Sequence, residues 1–141
     1  MEWLKPIIDY GVIGLLSAMS VAALAVAIER RRLYKRIALS DFSDKRKLEL
    51  YLTENLHLIA TIGSNAPYIG LLGTVLGIML TFYAMGGNGL MDTGKIMLGL
   101  ALALKTTAAG LIVAIPAITI YNFLVRRAKE LMLRWEIENN G

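Results

Sequence analysis

Three stretches of this chain are too apolar and too long to serve as strands or surface helices. Residues 11–28 form 18 positions without a charge, residues 58–91 form 34, and residues 96–125 form 30 with one charge, Lys105. A helix that crosses the hydrocarbon core of a bilayer needs about 20 mostly apolar residues. The second stretch exceeds one crossing but is too short for two with a turn. Gly63-Ser64-Asn65-Ala66-Pro67 reads as a break before the crossing, and Gly86-Gly87-Asn88-Gly89 as its end. The expected spans are therefore about 8–29, 67–86 and 96–125, with the third helix continuing through the charged tail to about Trp135. The fold class is all-α, a membrane protein of three transmembrane helices in one domain over residues 1–141. Composition agrees, because 56% of the residues are hydrophobic and too few polar ones remain to cover a soluble globule. Lys5 is the only basic residue before the first stretch, and Glu29-Arg30-Arg31-Arg32 follows it directly. That is a stop-transfer pattern rather than a cleaved signal.

Lysine and arginine accumulate in short cytoplasmic segments. Eight basic residues fall in 29–57, and Arg126, Arg127, Lys129 and Arg134 fall in the tail. The opposite side holds only Lys5 and Lys95. The expected topology thus has the amino terminus outside, residues 30–62 and 126–141 in the cytoplasm, and the carboxyl terminus inside. No aromatic stacking pattern accompanies the arginine run, so its partner is the lipid bilayer and not nucleic acid. Within the cytoplasmic loop Leu48, Tyr51, Leu52, Asn55, Leu56 and Ile59 follow a helical repeat. A short helix is expected there, capped by Asp41 or Ser43 and too small for a core of its own.

Helices in lipid gain little from the hydrophobic effect and associate where small residues allow close approach. Gly63, Ala66, Gly70, Gly73, Gly77, Thr81 and Ala84 make one such seam. Gly99, Ala103, Thr107, Gly110, Ala114 and Ala117 make another. Two seams in a short chain point to self-association, with packing inside one subunit as the alternative. Pro116 interrupts the third stretch and bends it, either as a static packing feature or as a functional kink. Lys105 is the one charge at bilayer depth, where a cation costs roughly 3 kcal/mol or more and marks a functional candidate. The competing reading is that its long stem snorkels to the interface. The second and third spans contain no Asp, Glu or His, so a carboxylate facing Lys105 would come from another chain. Thr74, Thr81, Thr106 and Thr107 supply hydroxyls, which either bond their own backbone or line a polar pathway.

Other chemistries are excluded. Cysteine is absent and His57 is the only histidine, which removes the usual metal sites and disulfides. Gly89 to Gly94-Lys95 has phosphate-loop spacing, but Ile96 stands where Ser or Thr would bind magnesium. No nucleophile–base set or paired carboxylate gathers where substrate could bind, so neither enzyme nor cofactor is expected.

The segment Thr61-Ile-Gly-Ser-Asn-Ala-Pro-Tyr-Ile-Gly-Leu-Leu-Gly-Thr-Val-Leu-Gly-Ile78 resembles the second-span signature of the MotA/TolQ/ExbB proton-channel family. Ala103-Leu-Lys-Thr-Thr-Ala-Ala-Gly-Leu-Ile-Val-Ala-Ile-Pro-Ala117, closing with Tyr121-Asn122, resembles its third-span signature. The likeness is greatest to the ExbB branch, in a short form. The resemblance implies a homo-oligomer, a pentamer, in the inner membrane of Gram-negative bacteria, with a periplasmic amino terminus. It implies an ExbD-like transmembrane partner at the centre and a TonB-like protein energised by proton flow for import across the outer membrane. By motif position Thr74 and Thr107 correspond to channel-lining threonines, with Thr106 and Lys105 beside them. Gly70, Gly73, Gly77, Gly99, Ala103, Gly110 and Pro116 are the expected packing positions. The proton-carrying aspartate would belong to the partner. The branch often carries a third-span glutamate where this chain has Leu102, so that role does not transfer. A TolQ-like subunit of the Tol-Pal envelope system and a non-conducting scaffold are the alternatives. A flagellar MotA role is disfavoured by the small loop.

Overall fold

The computed structural model describes residues 3–88 and 92–140, and side chains at 3–86 and 92–139. Four α-helices follow in order: α1 (Leu4–Arg36), α2 (Lys45–Thr53), α3 (Leu56–Asn88) and α4 (Thr93–Asn140), with one 3-10 turn at Leu39–Asp41. Among the described residues there is no strand. α1, α3 and α4 are each long and apolar enough to cross a membrane. At 1.5 Å per residue, α1 and α3 reach about 50 Å and α4 about 72 Å. A hydrocarbon core is about 30 Å thick, so all three overshoot it. Lys5, Met85 and Lys95 line one depression. This puts the start of α1, the end of α3 and the start of α4 at one end of the bundle. Tyr34, Leu52 and Trp135 share a core at the other end, which is also where most basic residues lie.

Three expectations about local structure need correcting. The glycine–proline segment 63–67 does not break the second helix, and α3 runs unbroken from Leu56 with Pro67 inside it. In an apolar medium an open backbone break would leave polar groups without partners, so the helix continues where a neighbour covers it. Here Ala66 is fully buried and α4 supplies the cover. The second helix reaches Asn88, and Gly89 lies outside the described residues. So do Leu90 and Met91 of the rejected phosphate loop. Asp92 instead caps α4, its Oδ1 accepting from Gly94 N at 3.0 Å. α4 itself runs past Trp135 to Asn140.

The cap of α2 is neither Asp41 nor Ser43. Asp41 closes the 3-10 turn, and Asp44 stands directly before the helix, accepting from Arg46 N at 3.0 Å. That backbone bond first, and the Arg46 guanidinium second, hold the Asp44 carboxyl below its usual range. Asn55, at φ 66°, separates α2 from α3, a left-handed conformation that Asn tolerates better than most residues. The helical repeat read across 48–59 is therefore two helices.

α2 lacks a core of its own, but it shares the largest one in the molecule. Leu48, Leu52 and Ile59 have no exposed surface and pack with Ala27 and Tyr34 of α1 and Leu124, Leu131 and Trp135 of α4. Polar bonds fix the same junction. Arg30 Nη1 donates to Tyr51 O at 2.7 Å, Tyr34 Oη donates to Leu52 O, and Trp135 Nε1 donates to Phe42 O at 2.9 Å. The first two satisfy carbonyls that the C-terminus of α2 leaves without an intrahelical donor.

Candidate functional site

α3 and α4 touch at backbone distance. A Cβ placed on Gly70 would lie 2.5 Å from the Thr106 carbonyl oxygen and 3.0 Å from Gly110 Cα. One placed on Gly110 would lie 2.6 Å from the Ala66 carbonyl oxygen. Further along, Gly73 faces the Thr106 side chain, Gly77 faces Ala103, and Gly99 faces Thr81. The small-residue seams thus close on each other inside one chain. These contacts are the packing within one subunit that stood as the alternative, so these glycines do not by themselves argue for self-association. Consecutive antiparallel helices with matching small faces bury those faces most simply against each other. Pro116 lies outside the seam, on an exposed part of α4, and α4 continues through it.

Where the seam is tightest it encloses hydroxyls. Thr74 Oγ1 lies 2.9 Å from Ala103 O and 3.3 Å from Gly70 O. Thr106 Oγ1 lies 3.0 Å from Gly70 O and 2.9 Å from Ala103 O. The Thr74 hydroxyl also meets that of Thr106 at 3.3 Å and hydrogen-bonds that of Thr107. Thr74 and Thr106 are buried, Thr106 completely, whereas Thr107 is half-buried. A hydroxyl has one proton and two lone pairs. Three hydroxyls and two shared carbonyls therefore form a cluster richer in acceptors than donors, with Thr107 at its accessible edge. Such a cluster can accept a hydrogen bond from a protonated group brought to Thr107, and can reorient its protons without any charged member.

Thr81, one helical turn beyond Gly77, donates to that residue's carbonyl at 2.9 Å and stands apart from the cluster. Lys105 is exposed, and among the described residues it forms no hydrogen bond or ion pair. Leu102, one turn earlier, is also exposed. The structure thus brings Thr74, Thr106 and Thr107 together and leaves Lys105 on the outside of α4. Sequence reasoning assigned Thr107 to the packing seam. The residue wholly inside it is Thr106, which also keeps three- and four-residue spacing from Ala103 and Gly110. Reasoning from sequence missed Arg30 and Tyr34 as well, since a topology signal masked the first and nothing local marked the second.

Residues 14–137 match the MotA/TolQ/ExbB proton channel family. The chain is 57% identical over 136 residues to the biopolymer transport protein ExbB of Aquifex aeolicus, covering 96% of this chain and 92% of that one. It is 56% identical over 134 residues to a putative biopolymer transport protein ExbB-like 2 of Helicobacter pylori, covering 95% and 89%. It is 48% identical over 137 residues to the ExbB of Helicobacter pylori strain J99, covering 97% and 94%. With a family match over most of its length and relatives matched nearly end to end, the chain belongs to the MotA/TolQ/ExbB proton channel family.

Proposed function

We propose that this protein is the ExbB-type subunit of a proton-driven motor, a single domain of three spans in a bacterial inner membrane. In this reading the basic end of the bundle is cytoplasmic and the Lys5–Lys95 end is periplasmic. Copies of the chain form a ring, by family analogy a pentamer, around the transmembrane helices of an ExbD-like partner. Proton passage through the ring energises a TonB-like protein for import across the outer membrane. The relatives in Aquifex aeolicus and Helicobacter pylori are biopolymer transport proteins named ExbB, which supports the transport role.

The observation that carries the proposal is the cluster of Thr74, Thr106 and Thr107. Hydroxyls at mid-depth in otherwise apolar helices are costly unless bonded, and Thr107 keeps one edge of the cluster open. A carboxyl group on a partner helix could exchange its proton there, which fits the absence of any Asp, Glu or His in the two helices over residues 58–91 and 96–125. Lys105 supports the same arrangement. An unpaired ammonium at this depth favours a neighbour that brings a carboxylate.

One observation favours a passive scaffold instead, since every hydroxyl in the cluster has a carbonyl or hydroxyl within bonding distance. The variants Thr74→Val and Thr107→Val, expressed with an ExbD-like partner, separate the readings. The motor reading expects assembly to persist and proton-dependent import to fall at least tenfold. Unchanged import in both variants supports the scaffold. A TolQ-like role is distinguished by restoring envelope integrity in a Tol-deficient strain instead of import.

A further inference from the structure

We infer that the groove between α1 and α4 at the basic end of the bundle is a binding site for one anionic phospholipid of the surrounding bilayer. The groove has a volume of about 540 Å³, within the roughly 300–1,000 Å³ usual for ligand sites. Leu24, Ile28, Ile120 and Phe123 form its apolar wall, and Arg31, Lys35 and Arg127 stand at its basic edge. This inference goes beyond the proton pathway and stands on a different face of the molecule.

The order of residues along both helices fixes the orientation of the occupant. On α1 the uncharged stretch ends at Ile28 and the cations follow within two turns. On α4 it ends at Val125 and Arg127 follows. The apolar wall therefore lies at hydrocarbon depth and the three cations lie at headgroup depth, which is the arrangement of an acyl chain below its phosphate. Basic pockets between spanning helices on the cytoplasmic side recognise anionic headgroups in this manner.

The charges are available for the purpose. Among the described residues Arg31 and Lys35 make no ion pair, and Arg127 has one, to Glu130 at 3.3 Å. Neighbouring Arg30 is different, being buried and engaged by Tyr51 and Glu29. The floor is firm, because Ala27, Tyr34 and Leu124 belong to the shared core. By contrast, the groove's wall residues Leu24, Ile28 and Phe123 are at least half exposed, so the chain itself leaves them uncovered. An apolar wall alone would accept any lipid tail. Three convergent cations select a phosphate headgroup that carries net negative charge.

The test uses the full chain purified in mild detergent, with native mass spectrometry of lipids retained after exchange into vesicles of phosphatidylcholine with phosphatidylglycerol. The inference expects one phosphatidylglycerol retained per chain and no comparable phosphatidylcholine. The triple variant Arg31→Gln, Lys35→Gln, Arg127→Gln should weaken retention by on the order of a hundredfold, at roughly fivefold per cation. A control with the same charge loss away from the groove, Lys47→Gln, Lys129→Gln, Arg134→Gln, should retain lipid as the parent does. Leu24→Trp, which fills the groove without altering charge, should also lose it. Equal retention by the triple variant overturns the inference, as does equal loss by the control, which would mean general surface attraction. Retention of both lipids alike, or protection of the groove by a second copy with no lipid present, overturns it as well. None of these readouts depends on proton transport, so failure here leaves the motor reading intact.

Discussion

Thr106 has no exposed surface, and its hydroxyl lies between carbonyls of two different helices. Thr74 occupies the reciprocal position on α3, with Ala103 O as its nearest carbonyl. The Thr106–Gly70 and Thr74–Ala103 bonds are interhelical and polar in an apolar setting, where measured contributions average about 0.6 kcal/mol and reach about 1.7. Thr106→Val should therefore lower thermal stability in detergent by about 1 kcal/mol, read from the melting of the helical signal. Thr106→Ser should recover most of that loss. Arg30 and Tyr34 are the second pair of residues with an outsized role, because each closes a carbonyl at the end of α2. Tyr34→Phe leaves the Leu52 carbonyl buried without a donor, a change that costs about 1–3 kcal/mol. Hydrogen exchange should then show faster opening of α2 while α3 and α4 keep their protection. Uniform loss of protection would instead mean that α2 does not open independently. Asp44 sets a pH dependence at the same junction. Its carboxyl is held low by the Arg46 backbone and guanidinium, so its stabilising contribution is present above the ordinary carboxylate range. It is lost as pH falls through the depressed value. Asp44→Asn should weaken that acid dependence of α2 protection.

At the level of elements, α3 and α4 are held by the absence of side chains. A methyl group on Gly70 or Gly110 meets backbone atoms at 2.5 and 2.6 Å, which no rotamer change can relieve. Gly70→Ala should separate the helices and cost about 1–3 kcal/mol. Gly11→Ala and Gly14→Ala on α1, where nothing lies within 4 Å, should leave melting unchanged or slightly raised. The long elements were legible in the sequence, because apolar length and absent charge leave a helix few alternatives. The continuation of α4 into its charged tail was legible as well. The detail around α2 was not. Asp41, Ser43 and Asp44 all have cap chemistry, and the choice among them depends on where the 3-10 turn at Leu39–Asp41 releases the chain. The Asn55 break is a backbone event hidden beneath an uninterrupted apolar repeat. The seams were visible in sequence, but periodicity gives the face of a helix and not its occupant. Only the packed chain shows that each seam is covered by the other.

At the scale of the whole molecule, the bundle divides into two functional levels. The basic end is a shared core of α1, α2, α3 and α4, fixed by polar bonds from Arg30, Tyr34 and Trp135. Above it, α3 and α4 run together through bilayer depth with the threonine cluster between them. In the proposed reading the first level is the base, and the second presents Thr107 and Lys105 to a neighbour. The candidate site was partly legible, since Thr74 and Thr107 stand at motif positions and Lys105 is the one charge in its apolar stretch. What sequence could not supply was the distance between hydroxyls on helices 33 residues apart along the chain. Lys105→Met should weaken recovery of an ExbD-like partner on affinity purification by several-fold if the ammonium pairs with a partner carboxylate. Unchanged recovery and unchanged import would make it a snorkelling residue.

In the proposed reading the threonine cluster is part of a proton path completed by another chain. It is tested most directly by proton flux into liposomes holding this protein with its ExbD-like partner, under an imposed potential and read with an internal pH dye. Flux is expected for the parent complex, little for either chain alone, and at least a tenfold loss on Thr107→Val with the complex still assembled. An assembled parent complex that passes no protons, or a Thr107→Val complex that passes them at the parent rate, would contradict it.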